Sequence, residues 1–122
     1  MSTYQIIIQG AVPSVNHVYV NTCNKGRVVR FLTQQGKAFK KQVKELFLNN
    51  YPQHEPFSNQ CRVYIKIWNG DRRKRDIDNQ AKVILDGMNE VVFDDDSQIV
   101  FLQMEKMYDK NNPRTQVIVE VI

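Results

Sequence analysis

Acidic residues are missing from the first third of this 122-residue chain: none precedes Glu45. Cysteine is nearly absent as well. Cys23 and Cys61 alone argue against a disulfide framework and against a cysteine zinc site, and suit reduced thiols in a cytoplasm. No apolar run approaches the ~18 residues that a membrane span needs, which excludes an integral helical membrane protein. The opening Met1-Ser2-Thr3-Tyr4 has no basic stretch followed by an apolar one, so no signal peptide is expected. Internal repeats and low-complexity segments are lacking too. What remains is ordinary in bulk, 42% hydrophobic and 25% charged, as in soluble globular proteins. A chain of this length fits one domain, residues 1–122, and buries roughly two-thirds of its unfolded surface without disulfide staples.

The charge is arranged unevenly. Seventeen Lys and Arg against thirteen Asp and Glu leave +4, a weak pointer taken alone. Before Glu45 stand Lys25, Arg27, Arg30, Lys37, Lys40, Lys41 and Lys44, all unopposed in sequence. Eight of the thirteen acids then fall between Asp71 and Asp96, a window that opens with Arg72-Arg73-Lys74-Arg75. Basic patches attract polyanions through counterion release. Clustered carboxylates repel one another unless a cation, often a divalent metal, lies between them. Together these features suit chemistry on a phosphate backbone; a solvated surface with scattered ion pairs is the alternative.

Periodicity gives the order β-α-β-α-β-β. Tyr4–Gln9 reads as a strand ended by Gly10. Residues 11–30, with Pro13, Ser14, Asn16, Asn21, Asn24 and Gly26, read as a long loop, with a short strand at Arg27–Phe31. A helix runs from about Thr33 to Asn49-Asn50, with Phe39, Val43, Leu46 and Phe47 on one face and Lys37, Lys41 and Lys44 on another. Arg62–Trp68 alternates as a half-buried strand, ended by Asn69-Gly70. A second helix is expected from about Asp78 to Val92. Gln98–Tyr108 and Thr115–Ile122 read as strands joined as a hairpin through Asp109–Pro113. The expected class is α+β, a two-layer domain with both helices on one face of a mixed sheet.

The chemistry sits at the start of the second helix. In the extended Asp76-Ile77-Asp78 segment, residues two apart project to one side and reach one ion. Asp78 is placed to cap the helix, and Lys82 follows one turn on, on the same face. Oxygen ligands without paired Cys or His select Mg2+ or Mn2+ over zinc. Carboxylates, a metal and a lysine are what phosphodiester hydrolysis needs. The same spacing also suits a plain N-cap at Asp78 and an ion-pair ladder of Asp78, Lys82 and Asp86, and the residues leave both open. Asp96 follows at the far end of a helix about 14 residues long, ~20 Å away. Reaching Asp76 requires either a strand that runs back past the site or a second subunit.

The run from Asp71 through Arg72, Arg73, Lys74, Arg75, Asp76, Ile77, Asp78 and Asn79, then Lys82, Asp86 and Asp95-Asp96-Ser97-Gln98, resembles the RusA family of Holliday junction resolvases. That family's pattern is a basic run, Arg-Asp-hydrophobic-Asp-Asn, a Lys four residues past the second Asp, and a downstream Asp-Asp-x-Gln. Val12-Pro13-Ser14-Val15-Asn16-His17 resembles its N-terminal Pro-Ser-x-Asn segment, and Leu32-Thr33 with the basic helix after it resembles its next block. The resemblance covers nearly the whole chain. Asp94 extends the acidic pair to a triplet, and alignment on Ser97-Gln98 makes Asp96 the match. The resemblance implies a small homodimeric endonuclease that makes paired, Mg2+-dependent nicks across four-way junction DNA, with Mn2+ a possible substitute. It also implies Asp76, Asp78 and Asp96 as metal ligands, Lys82 as a catalytic lysine, and Arg75 on DNA. Such proteins are common in phages and prophages and act in the bacterial cytoplasm.

Arg72, Arg73, Lys74 and Arg75 lie where phosphates approach the proposed metal and are expected to bind DNA. The lysines of the first helix form either a positively charged wall or only a polar face. Asn16 and Tyr19 match family positions, though a turn explains them equally well. His17 and His54 are expected at the surface, Trp68 and Tyr64 in strand packing or a dimer contact, and Phe93 in the core. Two other functions compete, a less selective nuclease for branched or flapped DNA and a non-catalytic DNA-binding module. A pure binder would gain by losing the eight acids beside its basic run.

Overall fold

The computed structural model describes residues 2–122, with only the backbone described at Asn24 and Val29; Met1, where the signal-peptide reading begins, lies outside them. The sheet is built around the most apolar strand, β4 (Cys61–Asn69), in which Cys61, Val63, Ile65 and Ile67 are buried in alternation with more exposed residues. With one face buried along most of its length, β4 takes an interior place. The order is β1 (Thr3–Gln9), β6 (Arg114–Val121), β4, β5 (Ile99–Tyr108). β6 runs antiparallel to β1 and β4, and β5 runs parallel to β4.

That order corrects the expected hairpin between the last two strands. β5 and β6 flank β4 and do not pair with each other, so Asp109–Pro113 crosses the end of β4. The burial difference is the physical reason. β5 is exposed along most of its length, with Val100, Phe101 and Leu102 each about half exposed, and belongs at an edge.

One face of the sheet is covered by α2 (Gln34–Asn50) and α3 (Ile77–Met88), giving the two-layer α+β arrangement. Phe39, Val43 and Phe47 of α2 meet Val83, Ile84 and Met88 of α3 over Ile6, Ile8, Val117 and Val119 of the sheet. The Thr33 hydroxyl caps α2 by accepting a hydrogen bond from the Gly36 N–H at 3.1 Å. The described residues contain no helix long and apolar enough to cross a membrane.

The strand expected at Arg27–Phe31 is present, and the rest of residues 11–30 is more regular than the loop expected there. A short helix α1 (Val15–Val18) leads directly into a hairpin of β2 (Tyr19–Asn24) and β3 (Arg27–Leu32), which pair only with each other. The turn residues Lys25 and Gly26 have φ of 52° and 77°, so Gly26, one of the residues that signalled a loop, is hairpin-turn chemistry. Polar side chains persist along both strands because the hairpin lies outside the main sheet. α1 packs closely on α2: a Cβ at Gly36 would fall 2.7 Å from the Val18 carbonyl oxygen, which fixes where Tyr19 begins β2.

α3 also differs from expectation. It begins at Ile77, with Asp76 as its N-cap residue, and stops at Met88. Asn89 is extended and Glu90 takes a φ of 67°, so Val91, Val92 and Phe93 enter the core from a turn rather than from a helix. Phe93 is a core residue, as expected. His54 is not a plain surface residue: it sits among Tyr4 and Phe47 at ring distances of 4.7 and 4.8 Å, with Nε2 2.9 Å from the Val92 carbonyl oxygen.

Candidate active site on helix α3

Asp76 and Asp78 lie at the first turn of α3, both exposed. The cap differs from the sequence expectation. Asp76, not Asp78, holds the N-cap position, and its side chain makes no capping hydrogen bond. Its carbonyl accepts the Gln80 N–H at 3.2 Å, the first bond of the helix, and the carboxylate is left available. Asp78 Oδ1 accepts only the neighbouring Asn79 N–H, at 3.0 Å. The partial positive charge of a helix N-terminus favours an approaching phosphate.

The turn is anchored from below. Gln80 is buried, and its side-chain amide donates to Asn69 Oδ1 at 2.8 Å, tying α3 to the end of β4. The sequence marks Asn69 only as a strand end and Gln80 not at all; their pairing depends on the strand ending beside the helix start.

The basic run is a braced loop. Asp71 accepts from Arg75 at 2.7 Å and from the Arg73 backbone at 3.0 Å, and these bonds hold its carboxyl down to a pKa of about 2. The Arg72 guanidinium stacks on the Tyr108 ring at 4.2 Å. Lys106 donates to the Arg75 carbonyl at 2.5 Å. Lys74, Arg72 and Arg73 are exposed, while Arg75 is mostly covered and paired with Asp71.

Asp96 lies elsewhere. It opens a single 3-10 turn, Asp96–Gln98, before β5, whose first residue pairs with the start of β4, whereas α3 begins beyond the other end of β4. Among the described residues no three His, Cys, Asp or Glu side chains lie close enough to hold a metal ion, so one chain does not bring Asp76, Asp78 and Asp96 together. The acidic triplet is nonetheless resolved by its hydrogen bonds. Asp95 caps the 3-10 turn, accepting from Ser97 N at 3.2 Å while its own N–H donates to Gln98 Oε1 at 2.8 Å. The bonds from Ser97 lower the Asp95 carboxyl's pKa. Asp95 is thereby committed to structure, and Asp96 keeps a carboxylate without such a role.

Lys82 lies one turn beyond Asp78 and pairs at 3.4 Å with Asp86 Oδ2. That same oxygen accepts a hydrogen bond from the Tyr19 hydroxyl. Burial first, then the bond to Asp86, raises the Tyr19 phenol's pKa, with Asp96 adding to the rise and Arg30 opposing it. Tyr19 therefore remains a donor at neutral pH. The ion-pair ladder left open by the spacing is half present, since Lys82 pairs forward with Asp86.

The family model described as Endodeoxyribonuclease RusA matches residues 10–120. The chain belongs to the RusA endodeoxyribonuclease family. This is a family of Holliday junction resolvases. The RusA match takes in every candidate residue, from the hairpin to Asp96. The chain is also similar to an uncharacterized protein of Bacillus subtilis (strain 168), YqaN, at 37% identity over 49 residues, which cover 40% of this chain and 34% of that protein. The match thus spans about a third of the length of that curated relative.

Proposed function

We propose that this RusA-family chain is a Mg2+-dependent homodimeric resolvase that cuts four-way junction DNA by paired, symmetric nicks. The observation that carries the reading is the exposed, uncapped Asp76–Asp78 pair on the first turn of α3, directly after the Arg72–Arg75 loop, in a chain matched by the family model over residues 10–120. The donor set fits a hard cation: Mg2+ takes one or two carboxylates and completes its shell with waters and substrate phosphate. When bound, the ion would supply an activated water and offset the charge that develops on the phosphate.

The chain's own residues do the rest. Arg72, Arg73 and Lys74 draw the backbone toward α3, and the helix N-terminus receives a phosphate oxygen. Lys82 sets a positive charge beside the reacting phosphate. Asp96 is read as the third ligand, delivered by a second copy. The β5 edge supports this. Antiparallel pairing of β5 with the same strand of a second copy sets the start of one against the end of the other. The residues before Ile99 of one copy then face the Arg72–Asp78 segment of the other, which already lies along the β5 end through Arg72–Tyr108 and Lys106–Arg75. A two-fold dimer matches a two-fold junction and yields ligatable products. The expected setting is the bacterial cytoplasm, with the gene carried by host, phage or prophage; Mn2+ is expected to replace Mg2+.

The test is cleavage of a mobile four-way junction beside duplex and flap DNA, with and without Mg2+. Selective, metal-dependent cutting of the junction supports the reading. Equal cutting of flaps favours a general branched-DNA nuclease, and binding without cutting favours a non-catalytic module. Mixing Asp76→Asn and Asp96→Asn chains, each inactive alone, is expected to restore one intact shared site per mixed dimer, seen as single-strand nicking.

A further inference from the structure

We infer that Asp86 and Tyr19 form a positioning pair that holds the Lys82 ammonium in its working orientation, an inference that rests on the reading of Lys82 as a catalytic group. Three contacts converge. Lys82 Nζ lies 3.4 Å from Asp86 Oδ2, the oxygen that also accepts from the Tyr19 hydroxyl, and 5.7 Å from the centroid of the Tyr19 ring. The same ring carries the Arg30 guanidinium at 4.1 Å.

A lysine on an exposed helix face has four rotatable bonds, and a lone i, i+4 carboxylate restrains it weakly. Here the restraint is stronger, because the Asp86 side chain is only 23% exposed and its rotation is stopped by a phenol 67 residues upstream. The ring also gives the ammonium a cation–π surface on one side. Lys82 itself keeps a 44% exposed side chain, so it is held yet open to a ligand. The anchor also belongs to a DNA-facing element by its charge. Tyr19 begins β2 of a hairpin that carries exposed Lys25, Arg27 and Arg30, in the stretch that holds no acid. A phosphate backbone seated on that hairpin therefore bears on the element that fixes the lysine.

The test is a double-mutant cycle. Tyr19→Phe and Asp86→Asn are made in the wild-type chain and in Lys82→Ala, and three quantities are read: the single-turnover rate at saturating junction and Mg2+, the junction Kd, and the thermal midpoint. Positioning predicts that Asp86→Asn lowers the rate by up to about a hundredfold and Tyr19→Phe by about tenfold, with little change in Kd. In the Lys82→Ala background neither change slows the residual rate further. The conservative Tyr19→Phe keeps the ring beneath Arg30, so a folding failure in Asp86→Asn leaves the inference testable. It is overturned if both variants cut at the wild-type rate. It is overturned equally if they cost the same factor in both backgrounds while lowering the thermal midpoint, which marks a purely structural tie. Wild-type cutting by Lys82→Ala instead overturns the catalytic reading of the lysine, separately from the outcome at Tyr19 and Asp86.

Discussion

At its first turn α3 presents Asp76 and Asp78 to solvent without a side-chain partner among the described residues, whereas two turns later Asp86 is shared between the Tyr19 phenol and the Lys82 ammonium. The contrast recurs in Asp95 and Asp96, neighbours of which the first is bound into a cap and the second is not. A carboxylate whose lone pairs are filled by the protein is a structural part, and one left open on an ordered element is available to a ligand. Among these five carboxylates, hydrogen bonding separates the open ones from the braces.

The largest effect is expected where the carboxylates are open. Asp76→Asn, Asp78→Asn and Asp96→Asn should each lower junction cleavage on the order of a thousandfold, while gel-shift binding without metal holds or tightens as negative charge is removed. A variant that still cuts well would move that residue to the structural side. Next, Lys82→Ala should lower single-turnover cleavage about a hundredfold and leave the Mg2+ concentration dependence unchanged. On the opposite face of the same helix, Ile84 is fully buried. Ile84→Ala should cost about 2–5 kcal/mol in denaturant unfolding, with the rate per folded molecule preserved in the cold. Smaller still, Asp95→Ala should lower the thermal midpoint slightly through the lost cap, with cleavage nearly unchanged; a dead Asp95→Ala enzyme would erase the distinction from Asp96.

The gentlest test is acid. The Asp71 carboxyl is held down to about 2 by the Arg75 hydrogen bond and the Arg73 backbone. A depressed folded value means that its contribution is complete above the unfolded value of about 3.8 and is lost as pH falls toward 2. The brace on the basic loop should therefore release between these limits, seen as a shallow fall in thermal midpoint that Asp71→Asn removes. Because Asp71 is exposed, the effect is small and weakens further in salt.

Much of this was legible without coordinates. Apolar spacing located both long helices and the four strands of the main sheet, because one covered face imposes a period on each element. The Asp76–Asp78 pair, Lys82 and the basic run are local, so spacing exposed them. The second strand of the hairpin at Tyr19–Leu32 was expected at Arg27–Phe31, but the first strand was hidden because strands outside a core need no apolar alternation. The pairing of β4 between β5 and β6 was hidden because a turn-rich connection reads the same whether it joins neighbours or crosses a strand. The bonds of Tyr19 to Asp86 and of Gln80 to Asn69 had no signal, being products of how distant elements meet.

The sequence by itself determined the family, the α+β class, the basic approach and the candidate carboxylates, all of which are written in short-range order and residue type. Only the tertiary structure decided which carboxylates are free, that Asp96 stands apart from Asp76 within one chain, and that Lys82 is held from two sides. Those facts depend on hydrogen bonds between segments far apart in the chain, which spacing along a sequence does not encode.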